Sequence, residues 1–556
     1  MNRRVLALVA SSCLLPACPG CWWSAKLPPL PPGDSYADPR ASQGLSDLGS
    51  LAGGAEKKPA APETASRESQ IASPQTLELD IRDAILMALE SNQELRVERL
   101  NPRIIQTFED EERAAFDPLL TAAVSGGRTN SQRQAPGGGG TQTSATNTFS
   151  GSIGAEQFLP TGTTIEASAT STLTDSSIHT SKFAATRLGL SVTQALLRGF
   201  GVAVNLASLR QARLDTLASH YELRAFAETL VADVEKTYWD CALAERQIEI
   251  VTQSLALAEQ QLAETEERIR IGKLADTERA AAQAEVASRR EALIQARGAL
   301  ATARLRLLRL LNPSQAPRQA QGAANLEHAA GFWTRQLVLR TQPIVPEGGL
   351  DDVESHAQLA LAMRPDLAEA RLRIRQGDLE LVKTRNGLLP KLDLFMTLGK
   401  SGYADSFGGS VRDLDGESYD ALVGASLEFP ILNRAARARH QRATLTREQL
   451  DEALANLAQL AQLDVRTAYI EVTRAREQVA ATAATRSFRE EALRAETEKF
   501  RVGKSTTLLV AQAQRDLVQS QIAEVQAVVS LLKGLVDLYR LEGSLLERRG
   551  ITAPGR

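Results

Sequence analysis

CALAERQIEIVTQSLALAEQQLAETEERIRIG, residues 241–272, closes a proline-free run that begins near Val202. Apolar or small residues at Val234, Tyr238, Cys241, Ala244, Ile248, Val251, Leu255, Ala258, Leu262, Thr265 and Ile269 recur at steps of three and four. That spacing predicts a helix with one packed stripe, and its strict alternation from Ala244 onward suits a coiled-coil seam. A second proline-free run, Arg434 to Val502, answers the first. The first ends Ile269-Arg270-Ile271-Gly272-Lys273 and the second Phe500-Arg501-Val502-Gly503-Lys504. The offset of 231 residues that carries Gly272 to Gly503 also carries Val234 to Val465, Tyr238 to Tyr469, Leu262 to Leu493 and Gln283 to Gln514 without a gap. The chain is therefore an internal repeat. At ~1.5 Å per residue each run reaches roughly 100 Å, against ~30 Å for a bilayer's hydrocarbon core, and no compact globular core needs such helices.

Working outward, each long run is preceded by a shorter helical segment and then by a change of period from about 3.6 to 2. The first segment opens near Leu79 and is expected to extend to about Ala115 with a kink at Pro102. Its counterpart opens at Val353 and is expected to continue past Leu372 to Leu389-Pro390, with Ala88-Leu89 matching Ala360-Leu361. Beyond the second, Leu392, Leu394, Met396 and Leu398 alternate with polar or small residues, and Tyr419 to Ile431 alternates on the way back, which predicts a hairpin. The first half has equivalent outer strands at Leu119 to Arg128 and Arg187 to Leu197. Two more alternating stretches lie between them, Asn147 to Phe158 and Thr163 to Leu173, joined by Leu159-Pro160-Thr161-Gly162. One apolar face and one Ser/Thr/Gly/Glu face suit a barrel with lipid outside and water within; a soluble β-sandwich on a helical stalk is the alternative.

The remaining composition narrows the class. Among 556 residues, 64 basic and 67 acidic side chains leave a net charge of −3, so nothing argues for nucleic acid as a partner. No stretch of eighteen apolar residues exists to form a transmembrane helix. MNRRVLALVASSCLLPACPG, residues 1–20, combines two arginines, a short apolar segment and small residues, as an export signal does. Leu15-Pro16-Ala17-Cys18 resembles a bacterial lipobox, which makes Cys18 the lipidation candidate; an ordinary cleaved signal is the alternative. Cys13 and Cys21 also lie there, leaving Cys241 in the body as a small apolar filler with no disulfide framework. Pro136-Gly137-Gly138-Gly139-Gly140 reads as a loop at a barrel mouth, and Gly503-Lys504-Ser505 lacks the upstream glycine of a phosphate loop, since Glu498 stands there. The histidines, His179, His220, His328, His356 and His440, show no metal spacing and read as surface or solvated residues, and no catalytic set can be assembled. The reading is of a non-enzyme without cofactor or metal.

Two copies of helix, hairpin, very long helix, tip and return helix resemble the TolC-type outer-membrane efflux proteins. ALAMRPDLAEARL with the later LLPKLDL, LEFPILNRAARAR, LSVTQALLRGFG and the two glycine tips carry the resemblance over roughly Leu77 to Leu541. It implies an α+β membrane protein: a homotrimer whose hairpins close one barrel in outer-membrane lipid, continued by an α-helical barrel across the periplasm. The family's usual two strands per repeat give four from each chain; the extra alternating pair departs from that pattern and makes six if it joins the wall. It further implies a passive duct fed by an inner-membrane transporter through a periplasmic adaptor; an envelope stalk or adhesin is the rival reading. By the same resemblance the adaptor meets Arg270, Ile271, Gly272, Lys273, Arg501, Val502, Gly503 and Lys504, although both glycines also serve simply as helix ends. Asp276 and Glu278 become candidates for a periplasmic constriction, while the place matching Glu278 after the second tip holds Leu509.

The expected organisation is a signal over 1–18, a Pro/Gly/Ala/Ser-rich tether over 19–74, a first repeat over 75–312, a linker over 313–349, a second repeat over 350–542 and a tail over 543–556. The first repeat holds hairpins at 119–197, a long helix at 202–271 and a return helix at 275–311. The second holds a hairpin at 391–432, a long helix at 434–502 and a return helix at 505–541.

Overall fold

The computed structural model describes residues 77–134, 141–177, 181–312, 333, 335–346 and 348–551. The expected signal, tether and Cys18 lie outside the described residues, as do the glycine run at 137–140, His179 and His328. The chain opens with β1 (Leu77–Leu79), α1 (Ile81–Ser91), α2 (Gln93–Glu98) and α3 (Asn101–Ala114). Four strands follow: β2 (Leu119–Gln134), β3 (Thr141–Leu159), β4 (Thr163–Ser176) and β5 (Phe183–Ala195). A short turn of helix, α4 (Val202–Asn205), leads into α5 (Ala207–Arg270), which returns as α6 (Thr277–Leu311). The second repeat is β6 (Leu337–Leu339), α7 (Val353–Met363), α8 (Pro365–Asn386), β7 (Lys391–Ala404), α9 (Phe407–Arg412), β8 (Tyr419–Glu428), α10 (Arg434–Arg501) and α11 (Thr507–Leu541). A last turn, α12 (Leu545–Arg548), closes the described chain.

The long helices are 64 and 68 residues, so they extend through roughly 96 and 102 Å at ~1.5 Å per residue. The first is not unbroken from Val202, because Leu206 interrupts it after one turn. The shorter segments differ more from the expectation of single helices. The chain breaks at Asn92 (φ −59°, ψ 128°) and at Arg364 (φ −59°, ψ 125°), positions that align in the repeat. Pro365 forces the second break, since the residue before a proline avoids the helical region. At the first, the Asn92 side chain caps α2 by accepting from the Leu95 amide at 3.0 Å. Pro102 does not kink a helix as expected; it stands in the first turn of α3, where a missing N–H costs nothing.

Two clusters form the core where the short helices lie against the long ones. Tyr238, Trp239, Leu307, Leu308 and Leu311 bury with Leu79, Ile85 and Leu337 in one. Val465, Val472, Leu531 and Leu538 bury in the other. The expected linker over 313–349 contains a strand: β6 pairs in parallel with β1, Leu77 opposite Leu337 and Leu79 opposite Leu339. The Tyr238 hydroxyl donates to the Leu79 carbonyl at 3.1 Å, tying that pair to the long helix. Cys241 is a buried free thiol inside the first cluster, and burial pushes it up to about 12, so it fills space without reacting.

Candidate functional site

Six strands make one antiparallel sheet in the order β2-β3-β4-β5-β7-β8. Both stretches between the outer first-repeat strands therefore join the sheet. Strand pairing decides what each face presents, because successive side chains point to opposite sides. One row runs Val124, Gly151, Ser171, Thr186, Gly402, and below it lies Leu120, Ala155, Ala167, Leu190, Leu398, Ala421. Along the strands this face adds Ala122, Ile153, Ala169, Leu188, Val192, Met396, Val423 and Leu427, so it is apolar across all six. On β4 it extends from Ile165 to Leu173, about 26 Å of strand and roughly 20 Å of height at a tilt near 40°, close to the ~25 Å apolar band of an outer-membrane barrel.

The opposite face carries Thr121, Ser125, Ser150, Ser152, Glu156, Glu166, Ser168, Thr170, Arg187, Ser191, Asp393, Thr397 and Asp420. Arg187 on β5 reaches over β7 to grip Asp420 on β8 in a two-pronged pair at 2.7 and 2.6 Å. It crosses at Gly399, where a Cβ would stand 2.6 Å from the guanidinium. The glycine is thus a channel for that pair on the water-facing side.

At the far ends of the long helices, the two tips close identically. Gly272 (φ 76°) donates to the Ile269 carbonyl at 2.9 Å and Lys273 donates to Arg268 at 2.8 Å. Gly503 (φ 74°) donates to Phe500 at 3.1 Å and Lys504 to Lys499 at 2.8 Å. Both are left-handed glycine stops that satisfy the last helix carbonyls. Arg270 pairs with Glu267 at 2.5 Å and Arg501 with Glu498 at 2.8 Å. Ile271 and Val502 are exposed beside them. The tips are also joined to each other: the Arg268 guanidinium lies 4.7 Å from the centre of the Phe500 ring, and Gln514 donates to Gln261 at 2.8 Å.

Asp276 immediately precedes α6 and pairs with Arg279 at 2.9 Å, and Glu278 stands in that helix's first turn. The second return helix starts on Thr506, whose hydroxyl accepts from the Leu509 amide at 3.4 Å, so the two tips differ in charge at this level. Neither carboxylate belongs to a group of three or more His, Cys, Asp or Glu side chains placed to hold a metal among the described residues.

Sequence reasoning missed a charged clasp midway along the molecule. Arg224 on α5 donates to Glu228 at 3.0 Å, and to the Gly543 carbonyl and Glu547 of the tail at 2.9 and 2.8 Å. Arg549 grips the fully buried Glu235 at 2.7 and 2.6 Å. His356 is buried too, contrary to a solvated reading, with Nδ1 2.5 Å from Glu542. Burial pushes Glu228 up to about 7 and outweighs the attraction of Arg224, which is shared with Glu547. Glu235 is raised for the same reason, with Arg549 opposing. His220, half-buried, is lowered by desolvation. No helix among the described residues is long and apolar enough to cross a membrane.

The family model for outer membrane efflux protein matches residues 157–313 and 356–544. A similar protein is the pyoverdine export outer membrane protein OpmQ of Pseudomonas putida, 26% identical over 347 residues, which is 61% of this chain and 67% of that one. The solved outer-membrane channel OprN covers 84% of this chain and is itself 90% covered, at 18% identity and a TM-score of 0.60. The CmeC outer membrane channel of Campylobacter jejuni covers 84%, with 86% of it matched, at 16% identity and a TM-score of 0.60.

Proposed function

This chain belongs to the outer membrane efflux protein family, and from that premise we propose that three copies assemble into one passive duct from periplasm to exterior. The outer membrane is its location and export its task; it is not an enzyme. The observation that carries the duct reading is the continuity of a two-faced sheet with helices of 64 and 68 residues. The sheet supplies a wall that lipid accepts on one side and water on the other, and the helices supply the length a periplasmic crossing needs.

The energy for transport comes from an inner-membrane transporter, and a periplasmic adaptor meets the duct at its tips. Supporting this, the tips expose Arg270, Ile271, Lys273, Arg501, Val502 and Lys504 around two reversals with no compact core of their own. Asp276 and Glu278 lie within a turn of the first tip and supply carboxylates to the entrance on one repeat only. A photo-crosslinking residue at Ile271 or Val502 should capture a periplasmic adaptor in living cells, whereas one at Leu460, in the middle of α10, should not. Equal capture from all three positions would refute docking at the tips. Cys18 is proposed to carry a lipid anchor, on the strength of the Leu15-Pro16-Ala17 frame before it. Incorporation of a fatty-acid analogue should disappear in Cys18→Ser; label that survives the substitution would refute it.

A further inference from the structure

We propose that the β2-β3 hairpin stands at the seam between protomers, so that β2 of one chain pairs with β8 of the next, all six strands of each chain join the wall and three chains close an eighteen-stranded barrel. This rests on the trimeric duct reading and deepens it. The family match takes up at Gln157 and so leaves α1 to α3 as well as β2 and nearly all of β3 ahead of it, which by itself singles out no strand as added. The repeat does single them out: β2 starts at Leu119 and β7 at Lys391, 272 residues apart like Asn92 and Arg364, and β5 precedes α5 as β8 precedes α10, so the added strands lie between β2 and β5.

Three observations place this hairpin in the wall. First, its apolar residues continue the lipid-type face in register: Leu120, Ala122 and Val124 lie level with Ala155, Ile153 and Gly151, and these with Ala167, Ala169 and Ser171. A hairpin standing in water above a narrower wall has no need of such a face. Second, it is tied down at the helical end. Phe116, after α3, stacks on Phe158 at 5.9 Å; Asn205 donates to the Pro160 carbonyl at 3.0 Å and to Gly199 at 2.9 Å; and Gly162 accepts φ 87° to make the turn. Third, both sheet edges are bare. Val124 on β2 is 74% exposed and Val423 on β8 is 67% exposed, apolar side chains beside unpaired backbone. Hydrocarbon offers an unsatisfied backbone group no partner, so neither edge survives there unpaired.

The occupant of each edge follows from chain direction. β2 leaves the helical end directly after α3 and β8 returns to it directly before α10. A neighbour's β2 therefore meets β8 antiparallel, like the other junctions of the sheet, and rotational symmetry closes the ring. The join must be offset by an even number of residues, because an odd one turns Val423 and Leu427 to the water side. Widening affects the outer-membrane section alone, since the number of long helices is unchanged; the added strands make a broad vestibule above a duct of family width.

Disulfide capture tests the seam. The full-length chain with Val423→Cys combined with Ala122→Cys or Val124→Cys should give trimers linked between protomers on a non-reducing gel, whereas Val423→Cys with Ala167→Cys should not. Excising residues 119–156 joins positions that already face each other, since Leu119 pairs with Glu156. That variant should reverse the pattern, linking through positions 167 and 423. Linkage of the full-length chain through 167 and 423, with none through 122 or 124, would overturn the seam while leaving the trimer intact. A chain that native mass spectrometry finds only as a monomer would instead overturn the duct reading beneath it.

Discussion

Gly272 and Gly503 hold left-handed backbone with nothing within 4 Å of where a Cβ would stand. A side chain there meets no wall, so the cost of substitution is conformational, about 1–2 kcal/mol, and falls on the tip alone. Gly272→Val and Gly503→Val should each abolish export while trimer formation and membrane insertion persist; normal export from both would separate the tips from docking. Glu228 gives a pH-dependent signature. Its folded value, about 7, lies above the ordinary 4.5, so the native state holds the proton more tightly than the unfolded chain does. Stability present at acid pH is therefore lost as pH rises through about 7. Glu228→Gln should flatten the fall in Tm between pH 5 and pH 8; an unchanged slope would assign it elsewhere. The tip glycines were legible because a helix reversal calls for φ > 0 and glycine supplies it. Arg224, Glu228 and Glu235 were not, since charged residues on a helix read as its solvated side. What buries them returns from residues 543–549, more than 300 positions away.

At the scale of elements, periodicity identified the long helices and the strand faces, but local interruptions escaped it. The break at Asn92 depends on a side chain capping the next helix, and Ser91 and Asn92 also donate to the Leu311 and Leu310 carbonyls at 2.8 and 2.9 Å. The strands run further outward than alternation suggested: β3 is 19 residues, because Thr, Ser and Asn beyond Phe149 continue the ladder through backbone bonds that need no apolar face. β1 and β6, three residues each, are too short for any period to register. The tail is the element with the clearest energetic test. Arg549→Met leaves Glu235 buried without its partner, which should cost about 3–5 kcal/mol and lower the Tm of the detergent-solubilised protein. Pairing it with Glu235→Leu should recover most of the loss. A single variant as stable as the parent would mean that the clasp contributes nothing.

For the whole molecule, the repeat is what made the architecture legible: two tips and two long helices at one offset, and two short helical segments each followed by strands at another, specify a rod that carries a sheet. The uneven strand count, four in the first half and two in the second, was readable as well; which strands end at the sheet's edges was not, because alternation reports faces and is silent on neighbours. The central claim is that this assembly is an open-ended conduit and not a stalk that merely spans the envelope. Purified trimers reconstituted into a planar lipid bilayer measure it directly. Discrete ohmic conductance steps are expected, smaller when residues 119–156 are excised and the wall narrows. Intact, inserted trimers that carry no current at any voltage would contradict the account.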